Sequence, residues 1–400
     1  MFLQLLLATF IGISFGIITG LIPGIHINLV SLTLLTLSPL LLTYTNVLVL
    51  SVFIIAMSIT HTFLDFIPSV FLGAPESDTA LSILPGHKML LQGKAYEAVK
   101  LTVIGSLFAL IFSIVLIPLL IPTVSFIYPF IKSYIGFILI GVVSFMILKD
   151  KTKLGNLLVF MLSGTLGLIV LTTPNIKNSL FPLLSGLFGV SMLSLSLLDK
   201  VKIPEQKITH TVKLPAKEYT QSITAGTFAG VLTSFFPGLG AAQGAVLAQQ
   251  FTKNLSEHGF MVLVGGINTV NFVLSLVTLL TLNKARNGAV IVVSKLLDNY
   301  NIKVLAVFIA VALIVAGIAT FLALNITKIF SRIIVKVNYT LLVIIIIALI
   351  TLLTFYFSGF IGLLILFTAT MIGIIPSQLN VSRNHAMGCL LLPVILYFIL

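Results

Sequence analysis

Gly12-Ile-Ser-Phe-Gly16-Ile-Ile-Thr-Gly20-Leu-Ile-Pro23-Gly24 and Gly226-Thr-Phe-Ala-Gly230-Val-Leu-Thr-Ser234-Phe-Phe-Pro237-Gly238 carry one pattern twice. Each has a small residue at every fourth position and ends in Pro-Gly. One offset, 226 − 12 = 214 residues, relates all five marked positions. A lone small-xxx-small run is common in membrane helices. Two that end in the same dipeptide at the same register point to a repeat of whole halves. The Pro removes a backbone donor and the Gly loosens the chain, so each helix breaks there.

The composition around these segments sets the class. Of 400 residues, 58% are hydrophobic and 8% charged, and the mean hydropathy is +1.22. A soluble domain carries about a quarter charged residues. The apolar residues fall in runs of roughly 18–25, enough to cross a hydrocarbon core about 30 Å thick. The chain therefore reads as an all-α polytopic membrane protein. The net charge of +12 does not read as a nucleic-acid surface, because no charged residue occurs from Met1 to Leu64 and the basic ones sit in short loops. These are Lys88/Lys94/Lys100, Lys149/Lys151/Lys153, Lys200 to Lys217 and Lys328/Arg332/Lys336, a pattern of cytoplasmic retention. The one cysteine, Cys389, excludes an intrachain disulfide and a cysteine metal site. No basic stretch precedes the first apolar run, which is read as a membrane segment and not as a cleaved signal peptide.

Counting crossings gives two halves, residues 1–198 and 219–400, joined by a hydrophilic cytoplasmic linker at 199–218. Each half is a Pro-Gly-broken segment followed by five crossings. In the first half these run roughly Val47–Leu72, Leu101–Ile121, Ile131–Leu148, Leu154–Thr173 and Leu180–Leu198. In the second they run roughly Gly259–Leu282, Val304–Phe330, Leu341–Phe357, Gly359–Ile375 and His385–Leu400. If each broken segment is a hairpin that enters and leaves on one side, the four basic clusters share one face. Five crossings then make the halves inverted-topology repeats with both termini outside the cytoplasm. An ordinary kinked span is the alternative reading of each Pro-Gly segment. Paired interrupted helices in corresponding positions point to a transporter's central site, which makes Pro23, Gly24, Pro237 and Gly238, with Asn28 just beyond the first break, candidate substrate residues.

With those residues in view, the chain resembles the large membrane subunit of the tripartite tricarboxylate transporter family. The similar stretches are Phe15 to Gly24, Gly226 to Gly240, the loop Gly73-Ala-Pro-Glu-Ser-Asp78 with Pro85-Gly86 and Gln92 to Ala95, and Leu184 to Gly189. The shorter archaeal branch is similar also at Gly265 to Asn271, Lys284 to Arg286 and Arg383 to Gly388. The resemblance implies cation-coupled uptake of carboxylates across the cell membrane. It also implies a small membrane subunit and an extracytoplasmic binding protein as partners. The chain departs from the bacterial pattern at Asn283 to Gly288 and at Pro85.

Two groups of residues can carry chemistry. His61 and Asp65 lie four apart in an apolar span and so share a helix face. An intramembrane carboxylate is costly and marks ion coupling by default, and a structural His–Asp pair is the alternative. Gly73 to Gly86 supplies Gly73, Glu76, Ser77, Asp78 and Thr79 as a site-lining loop, or a solvated one. In the second half Asn268, Thr269 and Asn271 offer neutral ligands. Lys284 and Arg286 are basic where the first half, by register, is acidic. The function expected is secondary transport of a small organic anion, coupled to protons or sodium, with no other cofactor and no metal. There is no HExxH to support an enzyme. A channel or scaffold would not need two symmetric breaks, and a homo-oligomer is compatible with the sequence.

Overall fold

The computed structural model describes residues 1–23, 27–74, 78–149, 152–174, 176, 178–198, 203–209, 211–236, 239–252, 255–285, 287–297 and 299–400. Among them every regular element is helical, as lipid demands of a spanning chain that is not a closed barrel. Eight of these helical stretches are long and apolar enough to cross a membrane.

The first half runs α1 (Phe2–Leu21), α2 (Ile27–Leu41), α3 (Val47–Leu64), α4 (Phe66–Leu72), α5 (Ile83–Leu91), α6 (Ala95–Ile131), α7 (Ile135–Lys149), α8 (Lys153–Thr172), α9 (Leu180–Leu184) and α10 (Ser191–Leu198). A 3₁₀ turn at Ala80–Ser82 precedes α5, and a π-helical stretch, Ser185–Val190, joins α9 to α10. The second half runs α11 (Ala216–Phe235), α12 (Ala241–Phe251), α13 (Glu257–Leu282), α14 (Gly288–Leu296), α15 (Ile302–Ile334), α16 (Tyr339–Leu379) and α17 (Gly388–Ile399). The 214-residue offset maps both ends of α1 onto both ends of α11. The residues that follow agree as well. Ile22 (φ −102°, ψ 106°) and Phe236 (φ −93°, ψ 123°) are both extended, each bonding back to the helix it ends.

Two sequence boundaries differ from the structure. α6 continues to Ile131 through Pro118, Pro122 and Pro129, where the sequence reading ends a crossing at Ile121. At 37 residues it is about 55 Å long. Past Ile121 the stretch stays apolar, and the hydroxyls of Thr123 and Ser125 bond back to the helix's own carbonyls of Leu119 and Ile121 at 2.7 and 2.9 Å. α16 instead holds both crossings expected near Leu341–Phe357 and Gly359–Ile375. They part at Gly359, whose φ of 62° and ψ of −157° suit only a residue without a side chain.

Two spans form the centre. In its most apolar stretch the α3–α4 span is 89% buried and α13 is 94% buried, against 67% or less for the other candidate spans among the described residues. α1 and α15 pack on α3, while α11 and α6 pack on α13. The second set is the first with the halves exchanged, so each central helix is held by its own half's first helix and by a long helix from the other half. Small residues permit the approach. A Cβ at Gly12 would stand 2.6 Å from the Phe53 carbonyl oxygen, and one at Gly230 would stand 2.6 Å from the Val270 Cβ. A still closer crossing joins the halves: a Cβ at Gly105 of α6 would lie 1.9 Å from the Val262 carbonyl oxygen of α13. One turn away, Ser106 Oγ donates to the Gly265 carbonyl at 3.0 Å.

Gly105→Ala should therefore force α6 from α13 and cost about 1–3 kcal/mol, a drop of several degrees in melting temperature in detergent. Gly317→Ala, where a Cβ meets nothing within 4 Å, should melt like wild type. Equal melting of the two variants would contradict the described crossing.

Candidate functional site

Where α3 meets α4, Pro68 has no amide to bond the Leu64 carbonyl, and the helix is interrupted at Asp65. Asp65 keeps its own amide bond to the His61 carbonyl at 2.9 Å, and Ser69 Oγ donates to the Asp65 carbonyl at 3.0 Å. The carboxylate is thus presented at a joint between two helices.

Three elements meet at that joint. From α13, Asn268 Nδ2 donates to Asp65 Oδ2 at 2.7 Å. From α3 itself, His61 Nε2 stands 3.9 Å from the same oxygen, an ion-pair distance and too long for a hydrogen bond. From α1, Thr19 Oγ1 lies 3.2 Å from His61 Nδ1 and fixes the ring. Beside them, Thr269 and Thr62 share a hydroxyl bond of 3.2 Å between α13 and α3. His61, Asp65, Asn268, Thr19, Thr62 and Thr269 are each 3% exposed or less.

The loop after α4 returns to this cluster. Gly73 (φ 62°) ends α4 in the left-handed conformation, and the Thr79 and Ser69 hydroxyls lie 2.7 Å apart. The half-buried Asp78 stands at the start of α12, where a Cβ on Gly240 would be 3.7 Å from its Oδ1. Gly240 N–H there donates to Gln243 Oε1 at 3.0 Å. Asp78 is also within electrostatic reach of His61. α5 is held by His87, whose Nδ1 meets the Val70 carbonyl at 3.4 Å and whose Nε2 meets the Tyr339 hydroxyl at 3.0 Å. Burial pushes this imidazole down to about 4, so it is neutral at physiological pH. With Nδ1–H donating to the carbonyl, Nε2 accepts from the tyrosine.

His61, Asp65, Asp78, Gly73, Thr79 and Asn268 are thus brought to one region at the meeting of the halves. Asn271 is half-buried one turn along α13, and Pro23 is buried at the end of the first break. Asn28 lies elsewhere, exposed in the first turn of α2, against Gly288 of α14. Lys284 is exposed beyond the C-terminal end of α13, about 20 Å of helix from Asn268. Gly24, Glu76, Ser77, Pro237, Gly238 and Arg286 lie outside the described residues. Thr269, a neutral ligand by the sequence reading, is in place beside Asn268, whereas Thr19, Thr62, Ser69 and Gln243 are not singled out from sequence. Thr19 had a signal: the same offset pairs it with Thr233, and each hydroxyl bonds the carbonyl three residues back.

The sequence matches the model of the tripartite tricarboxylate transporter TctA family over residues 6–388. The chain belongs to this family. It is also 34% identical to the uncharacterized protein MJ1079 of Methanocaldococcus jannaschii, over 98% of this chain and 99% of that one. No solved structure matches it. TctA proteins are multi-pass membrane transporters, the large subunits of tripartite systems that work with a small subunit and a binding protein. In this member the residues that join the halves around Asp65 are therefore those of a transporter's interior.

Removing one partner of the Asp65–Asn268 bond should cost about 1–3 kcal/mol, because the other remains buried. Asp65→Asn, Asn268→Ala and the double variant, unfolded in detergent, should show a coupling of at least about 0.5 kcal/mol. Strict additivity would mean that the two side chains do not meet.

Proposed function

We propose that this chain is a secondary active permease of the cell membrane that takes up a small organic anion, a carboxylate, together with protons or sodium. The observation that carries this reading is the Asp65 carboxylate. It is buried at a break in a central span, bonded to Asn268 of the other half and 3.9 Å from His61. A packing role alone does not call for a carboxylate there, since an apolar residue is cheaper in a membrane.

The physical basis of coupling is charge. An anion about 5 Å from an ionised Asp65 meets a repulsion near 3 kcal/mol at an effective dielectric constant of about 20, roughly two decades in affinity. A proton or sodium ion at Asp65, with His61, Asp78 and Glu76 as neighbouring or accessory groups, removes that penalty. Cation and anion then bind together. Asn268, Asn271, Ser77 and Thr79 supply neutral contacts to the carboxylate. The broken segments at Pro23-Gly24 and Pro237-Gly238, with Gly73, let backbone groups approach it. Asn28, Lys284 and Arg286 act at the entry from the extracytoplasmic side. That assignment uses the inverted insertion of the halves, which places the basic loops in the cytoplasm and the charge-free loop at 43–46 outside. The family's small membrane subunit and extracytoplasmic binding protein are the partners expected to deliver the anion.

The test is uptake of radiolabelled succinate, malate and citrate into proteoliposomes under an imposed proton or sodium gradient. Wild type should accumulate one of them against its gradient, and Asp65→Asn should lose that accumulation while remaining inserted and monodisperse. Normal gradient-driven accumulation by Asp65→Asn would make the residue structural and remove the basis of the reading.

A further inference from the structure

A cavity of about 460 Å³ opens between α5 with its preceding 3₁₀ turn, the end of α12, the start of α13 and the segment Ser382–Asn384. That is within the size range of small-molecule sites. Its charged lining residues are Lys88, Glu257 and Arg383. Lys88 and Glu257 neutralise each other in an ion pair, so the arginine sets the sign. Arg383 Nη2 donates to Ser377 Oγ at 2.8 Å. Its Nη1 is buried and has no hydrogen-bond acceptor among the described residues. A guanidinium keeps its charge at any physiological pH and presents a planar fork that matches a carboxylate. Arg383 lines the cavity, so its guanidinium is the uncompensated charge that an anion there meets, and a shift of the side chain would let Nη1 join the contact.

The place of the cavity fits a path from the central site. Ala80 in its wall is two residues beyond Asp78. Along α12, Gln243 lies at the Asp78 end and Gln249 in the cavity wall, six residues or about 9 Å apart. The order of elements in the two halves pairs α2 with α12 and α14 with α5. α2 and α14 pack together, with Asn28 against Gly288, whereas α12 and α5 stand on two sides of the cavity. One of these two equivalent junctions is shut and the other is open.

We propose that this cavity is a second anion station, in which the transported carboxylate engages the Arg383 guanidinium between the Asp65 region and the face bearing Lys88 and Glu257. The proposal rests on the carboxylate reading of the function, and its test uses binding so that the two can fail separately. Leu255→Cys, made in a Cys389→Ser background, places a thiol in the cavity wall. Its reaction with an anionic methanethiosulfonate, which forms a mixed disulfide and releases methanesulfinate, is followed at rising citrate or succinate concentration. Citrate or succinate should slow the reaction in this protein, and equally with Asp65→Asn added, because the station does not require coupling. Adding Arg383→Gln should raise the concentration that protects about ten- to a hundred-fold, and Arg383→Lys should fall between. Circular dichroism and gel filtration confirm folding, and the lysine variant retains a cation if the glutamine variant does not fold. Unchanged protection in Arg383→Gln, or no protection in any of the proteins, overturns the station. Protection without gradient-driven uptake would overturn the permease reading alone.

Discussion

A carboxylate inside a membrane protein has to be satisfied by the protein, and in this chain the satisfaction of Asp65 is shared between the halves. Stripping an ionised carboxylate of water costs several kcal/mol unless donors or a cation replace it. Asn268 supplies a donor from α13 at 2.7 Å, and His61, steadied by Thr19, stands 3.9 Å away. For those atoms to meet, two spans have to run through the middle of the molecule with other helices between them and lipid. That is how α3 and α13 are placed. The glycines at the α1–α3, α11–α13 and α6–α13 contacts serve the same end, because helices this close cannot carry side chains at the crossing.

The exchange of partners between halves has a mechanical consequence. α3 is gripped by α15 and α13 by α6, so neither half holds its central helix alone. A movement of one half against the other shifts both carriers of the Asp65–Asn268 bond. In the proposed mechanism, protonation or cation binding at Asp65 would change the strength of that bond and so link ion occupancy to the relative position of the halves. Coupling of this kind needs only two packed arrangements of similar free energy.

The correspondence of α1 with α11 was legible in the sequence because its signal is local, in the small-residue spacing that the 214-residue offset repeats. His61 and Asp65 were legible because charge is rare in an apolar span. Their partner Asn268 was named only as a neutral ligand, since nothing local tells which helix of the other half will lie across from Asp65. Lys284 sits beyond the C-terminal end of α13, some 20 Å of helix from Asn268. The sequence reading ends the crossing at Ile121, a membrane's width from Leu101, whereas an apolar stretch with hydroxyls to bond its own carbonyls continues to Ile131. Arg383 was seen only as part of a familiar stretch. Its unmatched guanidinium is a property of the packed chain.

Everything proposed for direction of transport depends on whether the two halves enter the bilayer with opposite orientation. The element with least margin is α7, which at 15 residues is about 22 Å long. If it crosses, an odd number of spans separates the loop before α3 from the linker. Single cysteines at the exposed Tyr44 and Lys213, in a Cys389→Ser background, measure this directly in intact cells with an impermeant thiol reagent. Opposite orientation predicts that Tyr44→Cys labels from outside and Lys213→Cys only after the cells are opened. Labelling of both from the same side would contradict it.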